Sequence, residues 1–118
     1  LLIVSACFAG SFIEALATEY TAIITAAAPD RTSFGCSNDR DLTYFGEAFY
    51  RDALPDTGST RAAYDQATKL VTERERGMGV TPSLPAAYFG SQIEAKLTAM
   101  RKDNTLRRSS PAASGSLP

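Results

Sequence analysis

The chain has 118 residues, of which 44% are hydrophobic and 21% charged, and its net charge at pH 7 is −1. These values are typical of one soluble globular domain or part of one, and the near-zero charge gives no reason to expect nucleic acid or an anionic membrane as a partner. No apolar run reaches the roughly 18 residues of a membrane-spanning helix. We expect no cofactor and no metal, because phosphate-binding glycine motifs and metal-ligand clusters are absent from the sequence. The compartment and the oligomeric state are left open.

The chain opens on four branched apolar residues, which predict a strand buried on both faces, as in a parallel sheet. Small residues and Gly10 follow, and they predict a tight turn at the carboxyl edge of the sheet, where ligands bind in open α/β folds. Cys7 lies in this turn, near amides at the predicted start of a helix, which favour a thiolate. The alternative is a small buried thiol, since free cysteines are often buried.

A short helix is predicted over residues 8–16, with Glu14 on its solvated side. The apolar face that we expect to pack on the sheet comprises Phe12, Ile13 and Leu16. Residues 20–26 form the second predicted strand, and the order strand, helix, strand favours a parallel crossover. Pro29 ends this strand, and residues 30–41 are predicted to be a polar loop on the same edge as the cysteine.

The next predicted helix covers residues 42–54, is capped by Asp39 or Asp41, and ends at Pro55. Its buried stripe comprises Phe45, Phe49 and Ala53, with Leu42 and Ala48 close to it. A further helix begins at Ser59 or Thr60 and ends near residues 77–79. Its apolar stripe comprises Ala63, Ala67, Leu70 and Val71. Its charged residues are predicted to be solvated: Arg61, Asp65, Lys69, Glu73, Arg74, Glu75 and Arg76.

The C-terminal part contains one more short strand and one more helix. Residues 86–89 are flanked by proline and predict an edge-like strand. The final helix is predicted from Ser91 to Met100, and its inward residues are Ile93, Leu97 and Met100. Residues 1–102 are therefore assigned to the folded domain, and the polar residues 103–118 to a disordered tail.

The segment Ser5-Ala6-Cys7-Phe8-Ala9-Gly10-Ser11 resembles the nucleophile segment of the legumain family, cysteine peptidases of the caspase–haemoglobinase fold. Residues 23–36 resemble that family's next strand and substrate-contacting loop, and residues 42–49 resemble the start of its next helix. The resemblance covers roughly residues 1–54. It implies an α/β three-layer sandwich with a mostly parallel, caspase-like sheet, of which this chain would be the N-terminally truncated C-terminal part.

The resemblance also implies roles for single residues. Cys7 would be the catalytic nucleophile. The residues expected to bind substrate are Ser5, Thr32, Ser33, Phe34 and Glu47. Residues 32–34 would run beside the substrate through main-chain pairing, and Glu47 would help to form the pocket for the residue before the cut. Ser5 replaces a glutamate of the family's pocket, so the specificity for asparagine is not carried over.

Plainer interpretations of these residues stay open. Thr32 and Ser33 could make ordinary turn hydrogen bonds. Glu47 could simply interact favourably with a helix dipole. Cys36 could be a second buried thiol or a disulfide partner.

The sequence contains no histidine, although a cysteine peptidase of this kind needs an imidazole to move the thiol proton. The resemblance implies that this histidine lies in a missing N-terminal part, so we expect the chain alone to be inactive. The predicted function is a cysteine endopeptidase acting on peptide or protein substrates. The alternatives are a non-catalytic peptide-binding domain, a transamidase of the same fold, and an unrelated flavodoxin-like binding module in which Cys7 is buried.

Overall fold

The computed structural model of the protein describes residues 1–109, with side chains described as far as Asp103. Its elements are β1 (Leu2–Val4), α1 (Ser11–Leu16), β2 (Ala22–Thr25), α2 (Tyr44–Gly46), a π-helix (Glu47–Ala53), α3 (Leu54–Asp56), α4 (Thr60–Met78), β3 (Ala86–Phe89) and α5 (Ile93–Ser109). The predicted α/β class is confirmed. Over the described residues, no helix is both long enough and apolar enough to cross a membrane.

The three strands form one sheet in the order β1-β2-β3. β1 and β2 are parallel, with Leu2 opposite Ile23, so the predicted parallel crossover through α1 is confirmed. β2 and β3 are antiparallel, with Ala22 opposite Phe89. The sheet is therefore mixed, whereas the sequence predicted a mostly parallel one.

β1 is not buried on both faces, so this prediction is wrong. Leu1 and Leu2 are 57% and 40% exposed, and Ile3 and Val4 are half-buried. The reason is the position of β1 at an edge of the described sheet, where it pairs with β2 alone. By contrast, all four residues of β2 are buried, because β2 has a strand on each side.

α1 is shorter and more exposed than predicted. It begins at Ser11, and residues 8–10 form a turn instead of its first residues. Phe12 and Leu16 are 48% and 44% exposed, and α1 has no buried residue, so the predicted packing of this face on the sheet is wrong. Glu14 is exposed, as predicted.

The core lies between β2, the π-helix and α4. The predicted aromatic stripe is confirmed, because Phe45, Phe49 and Ala53 are at most 1% exposed and the two rings stack with centroids 5.9 Å apart. The buried residues of this cluster are Ile24, Ala26, Phe45, Ala48, Phe49, Ala53, Ala63, Ala67 and Val71. The described parts of the chain thus bury one apolar face of α2, the π-helix and α4 against the central strand.

The start and end of the second helical stretch differ from the predictions. Thr43, and not Asp39 or Asp41, caps α2, since its Oγ1 accepts the Gly46 N–H at 3.0 Å. Pro55 does not end the helical path but lies in the first turn of α3. Proline is tolerated there because the first amides of a helix have no partner within the helix.

α4 begins and ends where predicted. The Ser59 hydroxyl accepts the Ala62 N–H at 3.1 Å, and Gly79 ends the helix with a φ of +67°, a conformation that glycine adopts without strain. The apolar stripe is buried apart from the half-buried Leu70. One charged residue contradicts its predicted solvation: Glu75 is 2% exposed. Its position four residues after Val71 continues the buried stripe.

α5 begins at Ile93, two residues after the predicted cap at Ser91. Ile93 is buried and Leu97 half-buried, as predicted, but Met100 is 57% exposed and does not point inward. The helix extends to Ser109, so residues 103–109 of the predicted tail are helical. The rest of that tail, residues 110–118, lies outside the described residues.

Candidate active site

Cys7 lies in the β1–α1 turn, which we define as residues 5–10, and its side chain is exposed. Main-chain hydrogen bonds fix the turn just after the cysteine. The Phe8 N–H donates to the Arg31 carbonyl at 2.7 Å, and the Gly10 N–H donates to the Ala27 carbonyl at 2.9 Å. Gly10 permits this approach, because a Cβ at its position would be 2.6 Å from Cδ of Pro29. The turn is therefore anchored to the chain that follows β2.

The sulfur of Cys7 contacts the main chain of Ser33. The Ser33 N–H donates to Sγ at 3.2 Å, and Sγ donates to the Ser33 carbonyl at 3.5 Å. Ser33 is 9% exposed, Thr32 is exposed and Phe34 is half-buried. The structure thus brings the cysteine and the loop of residues 32–34 together, as expected for neighbouring strands that end at one sheet edge. Their roles toward a substrate stay predictions.

Two further contacts fix this loop against α2. The Tyr44 N–H donates to the Phe34 carbonyl at 3.1 Å. Gly35 has a φ of +89°, and a Cβ there would lie 2.6 Å from Cδ1 of Tyr44. Only glycine combines this backbone conformation with such a close approach. The loop is therefore positioned on one side by the thiol and on the other by the first residue of α2.

Ser5 reaches the start of the same helix. Its Oγ lies 2.6 Å from Oγ1 of Thr43, the residue that caps α2. Thr43 is not among the predicted caps, although a hydroxyl residue directly before a helix is a recognised cap signal. The predicted helix begins at Leu42 and so contains Thr43, whereas α2 begins at Tyr44. Through this pair, the β1–α1 turn is joined to the helical segment that carries Glu47.

The carboxylate of Glu47 lies among three guanidinium groups. Arg40 donates to its Oε2 in the closest contact, Nη1 of Arg74 lies 3.6 Å from Oε2, and Nη1 of Arg51 lies 4.0 Å from Oε1. The guanidinium carbons of Arg40 and Arg74 lie 4.6 Å and 3.8 Å from the centre of the Tyr44 ring. Glu47 is thus compensated by protein cations, and its polar side-chain contacts are with them and not with Cys7.

An open pocket of about 230 Å³ lies beside this cluster and is lined by Asp39, Arg40, Asp41, Leu42, Glu47 and Arg51. Its lining contains three acidic and two basic side chains. The Ser37 hydroxyl donates to Asp39 at 2.6 Å, and this bond, with smaller contributions from the backbone and Arg40, lowers the pKa of the Asp39 carboxyl. The pocket is therefore polar and contains both signs of charge at neutral pH.

The second cysteine takes no part in this arrangement. Cys36 is exposed, and both cysteines are free thiols. The part of the chain that the structure describes contains no group of three or more side chains placed to hold a metal ion. At the β1–α1 turn, the described residues offer a thiol beside main-chain hydrogen-bonding groups.

Comparison with known proteins identifies the family. The family model described as the Peptidase C13 family matches residues 1–96. No curated protein and no solved structure matches the chain. The matched range contains Cys7, the loop of residues 32–34, and Glu47 with its arginines. The chain therefore belongs to the peptidase C13 family, the legumain family that its sequence resembles.

Proposed function

We propose that the full-length protein is a cysteine-type endopeptidase with Cys7 as its nucleophile. Membership of the peptidase C13 family supports cysteine peptidase activity at the level of the family. The observation that carries the assignment to Cys7 is its exposed sulfur, 3.2 Å from the main-chain nitrogen of Ser33 at the carboxyl edge of the sheet. A nucleophile has to be both accessible and fixed in place, and this thiol is both.

In the proposed reaction, the sulfur of Cys7 attacks the carbonyl carbon of a peptide bond. The C–S bond forms, the C–N bond breaks, and the leaving amine takes the proton that the thiol gave up, so that a thioester remains on the enzyme. The Cys7 N–H is one proposed donor to the negatively charged oxygen of the tetrahedral intermediate. Water then hydrolyses the thioester, which releases the new carboxylic acid and restores the thiol.

The proton transfers need a group that the 118 residues do not include, since the sequence contains no histidine. We propose that an imidazole from another part of the full-length protein takes the thiol proton and passes it to the amine. The chain alone is then catalytically inactive, and assays require the full-length protein.

A larger caspase-like domain is part of the same proposal. The outer edge of β1 is unpaired in the described sheet, and the exposed apolar residues Leu1, Leu2, Phe12 and Leu16 lie on or beside β1 and α1. An open strand edge with neighbouring apolar surface suits pairing with further strands. Residues 1–102 would form the C-terminal part of the resulting three-layer sandwich.

For the substrate, we propose that an extended peptide binds along the loop of residues 32–34. Thr32 is exposed, and main-chain pairing would hold a peptide without strong demands on its side chains. The Ser33 main chain already faces the thiol, so a peptide lying along this loop would bring its carbonyl close to the sulfur. Ser5 and Glu47 lie on the α2 side of the site, where the side chain before the cut would be recognised.

The competing function is a non-catalytic peptide-binding domain, which the absence of histidine in this chain favours. Incubation of the full-length protein with a peptide library, followed by mass spectrometry of the products, separates the two. Cleavage that is lost in Cys7→Ala and kept in Cys36→Ala supports the peptidase, and binding without cleavage supports the competitor. Products joined to an added amine would instead identify a transamidase that uses the same thioester.

A further inference from the structure

Glu75 is a carboxylic acid at a position where α4 otherwise carries small apolar side chains. Ala63, Ala67 and Val71 precede it at intervals of four residues, and all are buried. Glu75 itself is 2% exposed. Among the side chains that the structure describes, it forms none of the ion pairs. Burying an unpaired carboxyl group costs free energy that an apolar residue in the same stripe would not require.

The carboxyl group of Glu75 has one partner, on the segment between α4 and β3. Its Oε2 accepts the Ser83 N–H at 3.0 Å. Its Oε1 and the Ser83 hydroxyl are both buried, and neither has a hydrogen-bond partner. A pair that is only partly satisfied in this way is a poor source of stability, because buried polar groups need all their hydrogen bonds to offset desolvation.

Ser83 connects Glu75 to the segment after β2. Ser83 is 1% exposed, and its carbonyl accepts the Ala28 N–H at 2.9 Å. The next residue, Leu84, has a φ of +51°, a conformation that costs free energy for a residue with a side chain. The Glu75 carboxyl group is bonded to the main chain of the residue directly before this strained position.

The path continues from Ala28 to the residue after Cys7. The Ala28 carbonyl accepts the Arg31 N–H at 3.2 Å, and the Arg31 carbonyl accepts the Phe8 N–H at 2.7 Å. Phe8 has a φ of +58°, so the backbone next to Cys7 is itself in an unfavourable conformation that its neighbours have to hold. Each step from Glu75 to Phe8 is a hydrogen bond or a tight turn.

We propose that Glu75 is a positioning residue for Cys7. Its carboxyl group fixes the main chain of Ser83. Ser83 fixes the turn from Ala28 to Arg31, and this turn fixes the amide of Phe8, the residue after the cysteine. Glu75 touches neither the substrate nor the reacting atoms. The proposal rests on the proposed function only in treating Cys7 as the nucleophile.

The test compares three variants in the full-length protein. Glu75→Gln keeps an acceptor oxygen for the Ser83 N–H, Glu75→Met removes it at similar side-chain length, and Glu73→Gln is a control on the exposed side of the same helix. Native protein is alkylated with iodoacetamide, and peptide mapping gives the rate at Cys7 relative to the exposed Cys36. Amide hydrogen exchange at Ala28 and Phe8 is followed in parallel.

Glu75→Met should fold, since it removes a single hydrogen bond and at the same time the buried Oε1 that has no partner. We expect it to change the relative rate at Cys7 by roughly 3- to 30-fold, the size of effects transmitted through packed neighbours, and to speed exchange at Ala28 and Phe8. In Glu75→Gln, the alkylation rate at Cys7 and the exchange at Ala28 and Phe8 should stay within about twofold of wild type, because glutamine keeps an acceptor for the Ser83 N–H. Glu73→Gln should change neither.

A folded Glu75→Met protein with the wild-type rate at Cys7 and wild-type exchange would overturn the proposal. If Glu75→Met does not fold, Glu75→Asp takes its place, because the shorter side chain withdraws the acceptor from Ser83; unchanged labelling and exchange in that variant would overturn the proposal equally. Neither readout requires peptide cleavage. A failure of the proposed peptidase function would therefore appear in the cleavage assay and leave these measurements interpretable.

Discussion

The sulfur of Cys7 and the main-chain nitrogen of Ser33 are 3.2 Å apart, although the two residues are 26 positions apart in the chain. The contact joins the turn after β1 to the loop after β2. Parallel pairing of the two strands places both segments at one edge of the sheet. The position of the thiol is therefore a consequence of the parallel crossover, and its orientation depends on the main chain of the loop.

This contact predicts different effects for two substitutions at Ser33. Ser33→Ala keeps the main-chain N–H, so alkylation of native Cys7 should stay within about twofold of wild type. Ser33→Pro removes the N–H and should change that rate by about tenfold, the equivalent of one hydrogen bond to a polarised sulfur. The measurement is iodoacetamide labelling with peptide mapping. Equal labelling rates in Ser33→Pro and wild type would show that the contact does not control the thiol.

Gly35 should be intolerant of any side chain. Its φ is +89°, and a Cβ would lie 2.6 Å from Cδ1 of the Tyr44 ring, so we expect Gly35→Ala to lower the free energy of unfolding by roughly 1–3 kcal/mol. Gly58→Ala is the matched control, because no atom lies within 4 Å of the corresponding Cβ. Urea unfolding followed by circular dichroism measures both. If the two variants were equally stable, the close approach of Gly35 and Tyr44 would not exist in solution.

Arg40 should control how the site treats basic substrates, provided that Glu47 faces the substrate as proposed. Arg40→Met removes the closest cation of Glu47 and leaves only the more distant Arg74 and Arg51 beside it. Its carboxylate is then less fully compensated and can attract a basic side chain. We expect kcat/KM for peptides with Lys before the cut, relative to Asn, to rise about tenfold. Arg51→Met is the control, because its guanidinium lies 4.0 Å from Glu47 and is exposed, and it should change this ratio by no more than about twofold.

The measurement for this prediction is a competition assay with two peptides that differ only at that position, carried out on the full-length protein. An unchanged Lys-to-Asn ratio in Arg40→Met would show that Glu47 does not contribute to this pocket. A rise in Arg51→Met as large as that in Arg40→Met would show that the effect is one of overall charge and not of the specific ion pair.

Tyr64 should make stability depend on pH at the alkaline end. Its hydroxyl donates to the Pro85 carbonyl at 2.9 Å, and burial raises the pKa of this hydroxyl above its ordinary value. The folded state therefore holds the proton more tightly than the unfolded state. The protonated Tyr64 hydroxyl therefore contributes to the free energy of unfolding. Its contribution is fully present below the unfolded pKa of about 10 and is lost as the pH rises through the higher pKa of the folded state.

The experiment compares urea unfolding of wild type and Tyr64→Phe from about pH 8 to pH 11, a range that includes the ordinary tyrosine pKa. The free energy of unfolding of wild type should fall relative to that of Tyr64→Phe across the upper part of this range. Parallel curves for the two proteins would contradict the burial of the hydroxyl.

The sequence predicted the parts of the fold that depend on local periodicity. Phe45, Phe49 and Ala53 recur every four residues, and this spacing identified a face that is buried. The same reasoning failed for Phe12 and Met100, which are exposed, because periodicity identifies an apolar face and not the surface that covers it. It failed for Glu75 because a charged residue was assumed to be solvated, although it continues the buried stripe of α4.

The site was predictable only in part, because some of its contacts depend on how distant segments pack together. The order of strands and loops indicated that Cys7 and residues 32–34 lie at one edge, and the structure places them in contact. The arginines around Glu47 come from the loop, the π-helix and α4. Their meeting depends on how these segments pack, and spacing along the chain gives no signal for such a contact. The same applies to the bond between Ser5 and Thr43, which joins residues 38 positions apart.

The most direct test of the central claim is to trap the thioester on Cys7. The full-length protein is mixed with a peptide substrate, quenched in acid within its first turnover, and its mass and modified residue are determined. The proposed mechanism predicts a mass increase equal to the N-terminal part of the peptide, located on Cys7, absent in Cys7→Ala and retained in Cys36→Ala. Peptide cleavage that persists in Cys7→Ala, or an adduct found only on Cys36, would contradict it.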